Sequence, residues 1–260
     1  MFKLKSQTMK DIYFVVRHPE IIAGRSKYLF IFSHMRSRSS VLSHILGSNP
    51  GICGYRELHK SYINRRDLVN LRIQLSRELR TNIDNKYLFD KILHNNCLLD
   101  PKIFKLAQPK VLFLLREPQG TIQSITNYMG YFRGKTKYQN PQEGLNYYCA
   151  RLAFIEKYAR KIDCDSFFLD SDDIINEPDT VLEKLSNWLQ LDVPLDKNYQ
   201  TFQKTGKAGH GDASPAIQTG TIQKKSQSLE VEIPQEIVEQ GKVSYQSCKD
   251  AILKNSFRSH

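Results

Sequence analysis

The sequence has no apolar run of the about 18 residues that a membrane-spanning helix requires. Its first 16 residues carry scattered charges and lack the apolar core and the cleavage site of a signal peptide. The five cysteines form no CxxC pair, so neither a zinc ribbon nor a disulfide framework is indicated. These absences predict a soluble protein of the reducing cytoplasm that has no membrane partner.

Two further patterns are missing, and each would have indicated a class of site. The seven histidines form no HxH or HExxH pattern, so no metal site is predicted. The GxxxxGK[ST] pattern of magnesium-dependent nucleotide-binding loops is also absent. The chemistry of this chain is therefore expected to be metal-independent.

Positive charge is present in excess. The chain has 38 lysines and arginines against 27 aspartates and glutamates, which gives a formal net charge of +11. An anionic partner is expected, and nucleic acid, an acidic membrane surface and a multiply phosphorylated nucleotide all fit this charge. The basic residues are spread along the chain without a polybasic tail. A buried nucleotide pocket therefore explains the charge at least as well as a nucleic-acid-binding face.

Short apolar runs alternate with segments of helical periodicity. Strands are predicted at residues 28–33, 86–93, 110–115 and 166–169. Helices are predicted at residues 58–79, 118–129 and 145–162, and from residue 178 onward. This alternation is typical of a parallel sheet with helices on both faces, so residues 1–260 are expected to form one α/β domain.

The stretch from residue 28 to residue 57 begins with the layout of a phosphate-binding loop, which is a buried strand, a polar turn and a helix. Ser39 or Ser40 is expected to cap that helix. Backbone N–H groups and the helix dipole would make this P-loop-like turn an anion cradle. An ordinary arginine- and serine-rich surface turn is the alternative. The polar groups that the turn offers are on Arg36, Ser37, Arg38, Ser39 and Ser40.

Three cations fall at or just beyond the carboxyl ends of predicted strands, namely Arg36, Lys91 and Arg116. Ligands of parallel α/β sheets bind at this edge. Charges in a buried strand are unfavourable without a partner or a function, and Asp90 stands directly before Lys91. The sequence therefore predicts a strong anion site at the carboxyl edge of the sheet.

In these residues the chain resembles the sulfotransferases that use 3′-phosphoadenosine 5′-phosphosulfate (PAPS). The first signature of that family is a strand, a (K/R)SG(S/T)(T/S) loop and a helix. Residues 36–40 match this loop, except that Arg38 replaces the usual glycine. A strand leading to an acidic turn and Asn-x-Pro, near residue 176, is a further likeness. The second signature, a strand ending in arginine with a proline and a serine after it, is matched by Arg116, Pro118 and Ser124.

The resemblance implies a sulfotransferase fold, PAPS as the donor, and roles for individual residues. Arg36 and the amides of residues 37–40 would hold the 5′-phosphosulfate. Arg116 and Ser124 would hold the 3′-phosphate, one as a guanidinium fork and the other as a hydroxyl donor. Lys91 and Arg36 would stabilise the charge that develops on the leaving phosphate.

A glycine-rich segment near the C-terminus is a candidate lid. Residues 206–220 contain four glycines, which permit close approach of the backbone to phosphate, and they also contain Lys207. Lys224 or Lys225 is a candidate to close over the 3′-phosphate. A mobile loop and a solvated lysine are the alternatives.

The acceptor's proton requires a base, and the sequence offers two candidates. Cytosolic family members use a histidine two residues after a lysine, whereas His94 lies three residues after Lys91, which would turn it to the other face of the sheet. Residues 28–57 resemble the protein-tyrosine type, which places its glutamate base at the offset of Glu57. Glu57 is therefore the preferred base. An exposed ion pair between Glu57 and a neighbouring basic residue is the alternative.

The predicted reaction is transfer of a sulfuryl group from PAPS to a hydroxyl or amine of a small-molecule acceptor, in bacterial secondary metabolism. The first rival is a nucleotide-dependent, kinase-like phosphotransferase, which shares the strand–loop–helix cradle. The second rival is a basic nucleic-acid-binding protein, which only the net charge suggests. Neither nucleic acid nor a membrane is expected as a partner.

Overall fold

The computed structural model describes residues 9, 13–19, 21, 24–207, 212, 214–223 and 231–256. In this part of the chain, five parallel strands form one sheet in the order β2-β3-β1-β4-β5. The expected α/β fold with a central parallel sheet is confirmed, and that residues 1–260 form one domain stays a prediction. The strands are β1 (Lys27–Phe32), β2 (Ile52–Cys53), β3 (Tyr87–Ile92), β4 (Lys110–Leu115) and β5 (Ser166–Asp170).

Helices connect the strands and follow the last one. Across the described residues, no helix has both the length and the apolar character needed to cross a bilayer. A π-helix, Ile125–Phe132, follows α4 directly, and short 3₁₀ helices lie at Thr136–Gln139 and Pro215–Thr219. Residues 13–17, before β1, are also helical. From β1 onward, the α-helices are α1 (Ser39–Ser48), α2 (Arg65–Leu79), α3 (Pro101–Ala107), α4 (Pro118–Ser124), α5 (Pro141–Ala159), α6 (Asp173–Asn176), α7 (Pro178–Leu189) and α8 (Gln235–Ser256).

Side chains alternate across β1, and both faces of the sheet are covered. Phe30 and Phe32 belong to one apolar cluster, to which α2, α3, α5 and α8 contribute. Leu29 and Ile31 belong to a second cluster, to which α1 and α7 contribute. All four of these β1 side chains are fully buried. The strand is a continuous apolar run rather than an alternating one because helices cover it on both sides.

A buried arginine on α5 joins the carboxyl ends of two neighbouring strands. Arg151 is 1% exposed, and its Nε donates to Ser33 O, just after β1, at 2.8 Å. The same guanidinium donates to Ile92 O at the end of β3, and its Nη1 donates to Asn95 Oδ1 at 2.8 Å. One charged side chain therefore fixes the loops after β1 and β3 relative to each other.

The helix predicted at residues 58–79 begins later than expected. It starts at Arg65 as α2, because Asn64 caps it and forms a capping box with Asp67. Residues 58–64 are not helical, and Tyr62 forms an isolated bridge to Leu99 instead. The leucines whose spacing predicted this helix, at positions 68, 71, 75 and 79, all lie in α2, and residues 58–64 form a loop.

The helix predicted at residues 118–129 is α-helical only as far as Ser124. The chain then continues as the π-helix Ile125–Phe132. A π-helix has wider turns than the 3.6-residue period used for prediction, and such turns are frequent at functional sites. The helices predicted at 145–162 and from 178 correspond to α5 and α7.

Candidate active site

Hydroxyl hydrogen bonds fix the loop between β1 and α1 to the neighbouring strand. Ser33 Oγ lies 2.5 Å from Leu114 O in β4 and 2.6 Å from Ser37 Oγ. Since Ser33 donates its single hydroxyl hydrogen to Leu114, Ser37 donates the second hydrogen bond. Both serines are fully buried, which argues against an ordinary surface turn.

Arg38 closes this loop in a backbone conformation that favours glycine. Its φ of 61° and ψ of 14° are left-handed, and it directly precedes α1. The expected serine cap is wrong, because the helix already begins at Ser39 and the cap residue is Arg38, without a side-chain cap hydrogen bond. A left-handed residue other than glycine costs about 1 kcal/mol. Arg38 therefore occupies a glycine position under strain, and its guanidinium forms an ion pair with Asp172.

Arg36, which is predicted to hold the 5′-phosphosulfate, contacts Ser124, which is predicted to hold the 3′-phosphate. Its Nε donates to Ser124 Oγ at 2.8 Å. Its guanidinium lies over the Tyr128 ring, 4.1 Å from the centroid, and its Nη1 is 3.4 Å from Asp212 Oδ1. The side chain reaches from the β1–α1 loop to the junction of α4 and the π-helix. The two predicted phosphate positions therefore adjoin each other.

Arg116 directly follows β4 and has few partners for a partly buried cation. Its Nη1 donates to Arg36 O at 3.2 Å, and its buried Nε has no hydrogen-bond partner among the described residues and lies 3.6 Å from Asp172 Oδ1. Burial and the charges of Arg38 and Arg36 lower the pKa of Arg116 to about 9. Three guanidinium groups thus share the carboxylates of Asp172 and Asp212, and the excess positive charge favours an anion.

His34 is a neutral structural residue of this site, and sequence analysis missed it. The ring is fully buried, and burial lowers its pKa to about 3. Nδ1 donates to Met35 O at 2.9 Å, so Nε2 accepts the Arg116 N–H at 3.1 Å. The ring therefore ties the β1–α1 loop to the end of β4 without adding positive charge. Nothing in the sequence around His34 distinguishes this role from catalysis.

Lys91 carries a buried ammonium group on the face of the sheet that α1 covers. The side chain is 2% exposed, and within the described part of the chain its Nζ has no hydrogen-bond or ion-pair partner. Burial lowers the pKa of Lys91 to about 8, against the opposing effect of the Glu57, Asp90 and Asp212 carboxylates. A buried cation without a partner is unfavourable, so this lysine is a functional candidate.

Asp90 lies on the opposite face of β3 and has a structural role. Its carboxylate accepts hydrogen bonds from the Tyr62 hydroxyl at 2.6 Å and from the Leu58 N–H at 2.9 Å. Burial raises the pKa of Asp90 to about 7, although these hydrogen bonds act in the opposite direction. Because Leu58 directly follows Glu57, Asp90 positions the segment that carries the candidate base.

Glu57 is a buried carboxyl group that lies near enough to Lys91 to feel its charge. It is 6% exposed, and burial raises its pKa to about 7, while Lys91 and Arg151 oppose the rise. An exposed ion pair is not its role, because Glu57 is buried and the neighbouring Arg56 pairs with Glu78, with Nε 2.8 Å from Oε1. A carboxyl group with a pKa near neutrality suits a general base.

The two candidate bases lie side by side. His94 Nε2 is 3.4 Å from Glu57 Oε1, and His59 Nδ1 is 3.3 Å from the same oxygen. The expectation that strand alternation turns His94 away is wrong, because β3 and its alternation end at Ile92. His59, which sequence analysis missed, joins the group through a left-handed backbone with a φ of 54°.

Solved structures share this architecture, although no protein-family model and no curated protein matches the sequence. The sulfotransferase domain from the curacin biosynthetic pathway aligns with a TM-score of 0.58 at 17% identity, over 86% of this chain and 98% of its own. The sulfotransferase domain from the Synechococcus PCC 7002 olefin synthase aligns with a TM-score of 0.53 at 18% identity, over 85% of this chain and 94% of its own. The chain has the sulfotransferase fold. At these identities the likeness is one of fold.

In this sulfotransferase fold, part of the predicted lid reaches the β1–α1 loop. The structure describes residues 206–220 only in part. Within them, the Asp212 N–H donates to Ser40 Oγ at 3.0 Å, so a residue that sequence analysis missed contacts the cradle. Lys207 is exposed, and Lys224 and Lys225 lie outside the described residues. Closure of the segment over a nucleotide stays a prediction.

Two substitutions of Arg38 separate backbone strain from charge in the sulfotransferase fold. Arg38→Gly and Arg38→Ala both remove the guanidinium, but only glycine adopts a left-handed φ without a steric penalty. We expect the glycine variant to be more stable than the alanine variant by about 1 kcal/mol in urea unfolding. An alanine variant as stable as the glycine variant would contradict the strain assigned to Arg38.

Proposed function

We propose that this chain transfers a sulfuryl group from PAPS to a hydroxyl or amine of a small-molecule acceptor. One observation supports this most: four cations meet at the carboxyl edge of a sulfotransferase fold, and two have donors without partners in the described residues. Arg116 Nε is a buried donor without a hydrogen-bond partner, and no described residue forms a hydrogen bond or ion pair with the ammonium of the buried Lys91. The other two cations are Arg36 and Arg38, which pair with Asp212 and Asp172. A ligand with several phosphate oxygens supplies the acceptors that these groups lack.

The residues of the cradle fit the two phosphate groups of PAPS. Arg36 and the amides at the start of α1 suit the 5′-phosphosulfate. Arg116 and Ser124 suit the 3′-phosphate, and the 2.8 Å hydrogen bond between Arg36 and Ser124 supports two adjoining phosphate positions. When bound, PAPS supplies an activated sulfuryl group on a phosphate that gains negative charge as it leaves.

Lys91 is proposed to stabilise the charge that develops on the leaving phosphate. It lies on the same face of β3 as Phe89, which packs in the apolar cluster of α1. The N-terminal amides of α1 add partial positive charge at the same edge. A fixed cation at a buried site acts more strongly than one in water, and it needs no reorganisation during the reaction.

Glu57 is proposed to accept the proton of the acceptor. Its pKa, raised by burial to about 7, keeps the carboxylate populated near neutrality and more basic than an exposed carboxylate. His94 is the second candidate, but burial, with the charges of His59 and Arg151, lowers its pKa. The raised pKa makes Glu57 a stronger base, and the lowered pKa makes His94 a weaker one. The two pKa shifts therefore favour Glu57 as the base.

The small-molecule acceptor is inferred from the structural neighbours. Their names connect those sulfotransferase domains with the curacin biosynthetic pathway and with an olefin synthase. Both names refer to biosynthetic systems, so we infer an acceptor of secondary metabolism for this chain by analogy of fold.

Thermal unfolding with adenosine 3′,5′-bisphosphate tests the donor. A ligand at about a hundredfold excess over its dissociation constant stabilises a fold by about 3 kcal/mol, so a clear rise in Tm is expected. Arg116→Met should reduce the rise in Tm, because methionine lacks the guanidinium but retains a long, unbranched side chain. Magnesium–ATP and a short RNA are the comparison ligands. A rise with either, and none with the bisphosphate, would favour a phosphotransferase or a nucleic-acid-binding protein.

Glu57→Gln and His94→Ala distinguish the two candidate bases. Glu57→Gln keeps the size of the side chain and removes its basicity, so turnover should fall about a hundredfold or more. Affinity for adenosine bisphosphate should survive, because Glu57 is not among the proposed phosphate ligands. His94→Ala should keep the larger share of turnover. An inactive His94→Ala beside an active Glu57→Gln would reverse the assignment.

Lys91 should set the alkaline limit of kcat/KM. Its ammonium is charged below its pKa of about 8 and loses the charge as the pH rises through that value. We therefore expect kcat/KM, which reports the free enzyme, to fall above a pH of about 8. Lys91→Arg, whose guanidinium stays charged, should move the fall to higher pH.

Lys91→Ala provides the control for this role. A group that acts on the leaving phosphate should affect turnover far more than affinity for adenosine bisphosphate. Equal losses of turnover and affinity would contradict the role, as would an alkaline limit that Lys91→Arg leaves unchanged.

A further inference from the structure

Three potential metal ligands meet at the candidate base. Glu57 Oε1, His59 Nδ1 and His94 Nε2 all lie within 4.8 Å of one another. The glutamate oxygen is 3.3 Å from the His59 nitrogen and 3.4 Å from the His94 nitrogen. Two imidazoles and one carboxylate therefore direct donor atoms into one small volume.

The separations match those within a tetrahedral metal site. Metal–ligand bonds of about 2.1 Å at tetrahedral angles place neighbouring donor atoms about 3.4 Å apart. Both distances from Glu57 Oε1 agree with this value. The rings of His59 and His94 are 5.6 Å apart at an interplanar angle of 23°, and their side chains are 53% and 40% exposed. The two ring nitrogens lie within 4.8 Å of each other, and rotation of these partly exposed rings would adjust that separation.

These short contacts are not hydrogen bonds. Glu57 Oε1 is buried, and among the described residues no group donates a hydrogen bond to it. Both ring nitrogens are close enough to do so, but neither places an N–H on the oxygen. Three metal ligands arranged around a shared centre would lie this close together without hydrogen bonds between them. A cation at that centre would compensate the buried oxygen.

We propose that Glu57, His59 and His94 bind a divalent transition-metal ion of the Zn²⁺ class. Imidazole nitrogen and carboxylate oxygen are both ligands that Zn²⁺ accepts at tetrahedral sites. Three protein ligands leave the fourth position open to water or to another small ligand.

The fold holds the three ligands in position through their chain neighbours. Leu58, between the first two ligands, donates its N–H to the buried Asp90 at 2.9 Å. Asn95, next to the third ligand, accepts a hydrogen bond from Arg151 Nη1 at 2.8 Å. The left-handed backbone of His59, with a φ of 54°, turns the chain between Glu57 and the residues that follow. Such positioning lowers the entropy lost when a ligand binds.

Metal binding and proton transfer would use the same oxygen atom. This consequence rests on the proposed function, in which Glu57 accepts the acceptor's proton. A metal ion on Oε1 occupies that carboxylate, so Zn²⁺ is expected to inhibit transfer. The positive charges of Lys91 and Arg151 act on the same carboxyl group and oppose a divalent cation. The affinity should therefore be moderate, and a chelator should restore activity.

Visible absorption of Co²⁺ gives a direct test on the untagged full chain. Tetrahedral Co²⁺ absorbs strongly in the visible range, so titration with Co²⁺ should produce a saturable band that Zn²⁺ abolishes. His59→Ala and His94→Ala each remove a ligand. Because changes around a metal's ligands already cost about 10- to 100-fold in affinity, each should weaken binding by more than about a hundredfold. His18→Ala is the control, since His18 is exposed and outside the cluster, and it should bind Co²⁺ as wild type does.

Absence of a saturable band in the wild-type protein would overturn the proposal. A band of unchanged affinity in either histidine variant would also overturn it, and if one variant fails to fold, the other decides. The outcome is separable from the sulfotransferase assignment. Co²⁺ binding without a Tm rise from adenosine bisphosphate would support the metal site and contradict PAPS as the donor. A Tm rise without Co²⁺ binding would support the donor and contradict the metal site.

Discussion

Positive charges held at one edge of a sheet repel one another, and much of this structure keeps them together. Arg151 joins the carboxyl ends of β1 and β3, and the neutral His34 ties the β1–α1 loop to β4 without adding to the charge. Asp172 and Asp212 compensate part of the charge of three arginines. The Lys91 ammonium has no hydrogen-bond or ion-pair partner in the described residues, although the nearby Glu57, Asp90 and Asp212 carboxylates favour its charge. A polyanionic ligand would offset this repulsion. The same positive charges that the fold holds together would therefore also attract the ligand.

The strands and the loop were predictable because their signals are local. Apolar runs at residues 28–33, 86–93, 110–115 and 166–169 became β1, β3, β4 and β5. The start of α2 and the π-helix were not predictable to the same degree. The 3.6-residue spacing of the leucines in α2 does not fix the residue at which the helix begins. Such a pattern also carries no signal for the wider turn of a π-helix. Those deviations depend on a cap and on packing against other segments.

The candidate site was predictable in its residue types but not in its contacts. Arg36 stood out because it follows a buried strand, yet its hydrogen bond to Ser124 depends on the direction of a long side chain. Glu57 was found through resemblance, whereas its pKa depends on burial, which the sequence does not give by itself. His59 and His94 belong to separate loops, so no spacing pattern indicated that they meet at one carboxylate. Contacts between loops are a property of the tertiary fold.

The left-handed backbone of Arg38 has a consequence for the gene that encodes it. Every arginine codon becomes a glycine codon through a single base change, so the relaxed backbone is always one point mutation away. Arg38 instead keeps a guanidinium that pairs with Asp172 next to Arg116. At this position the chain therefore combines a guanidinium beside the cradle with a backbone conformation that glycine would adopt without strain.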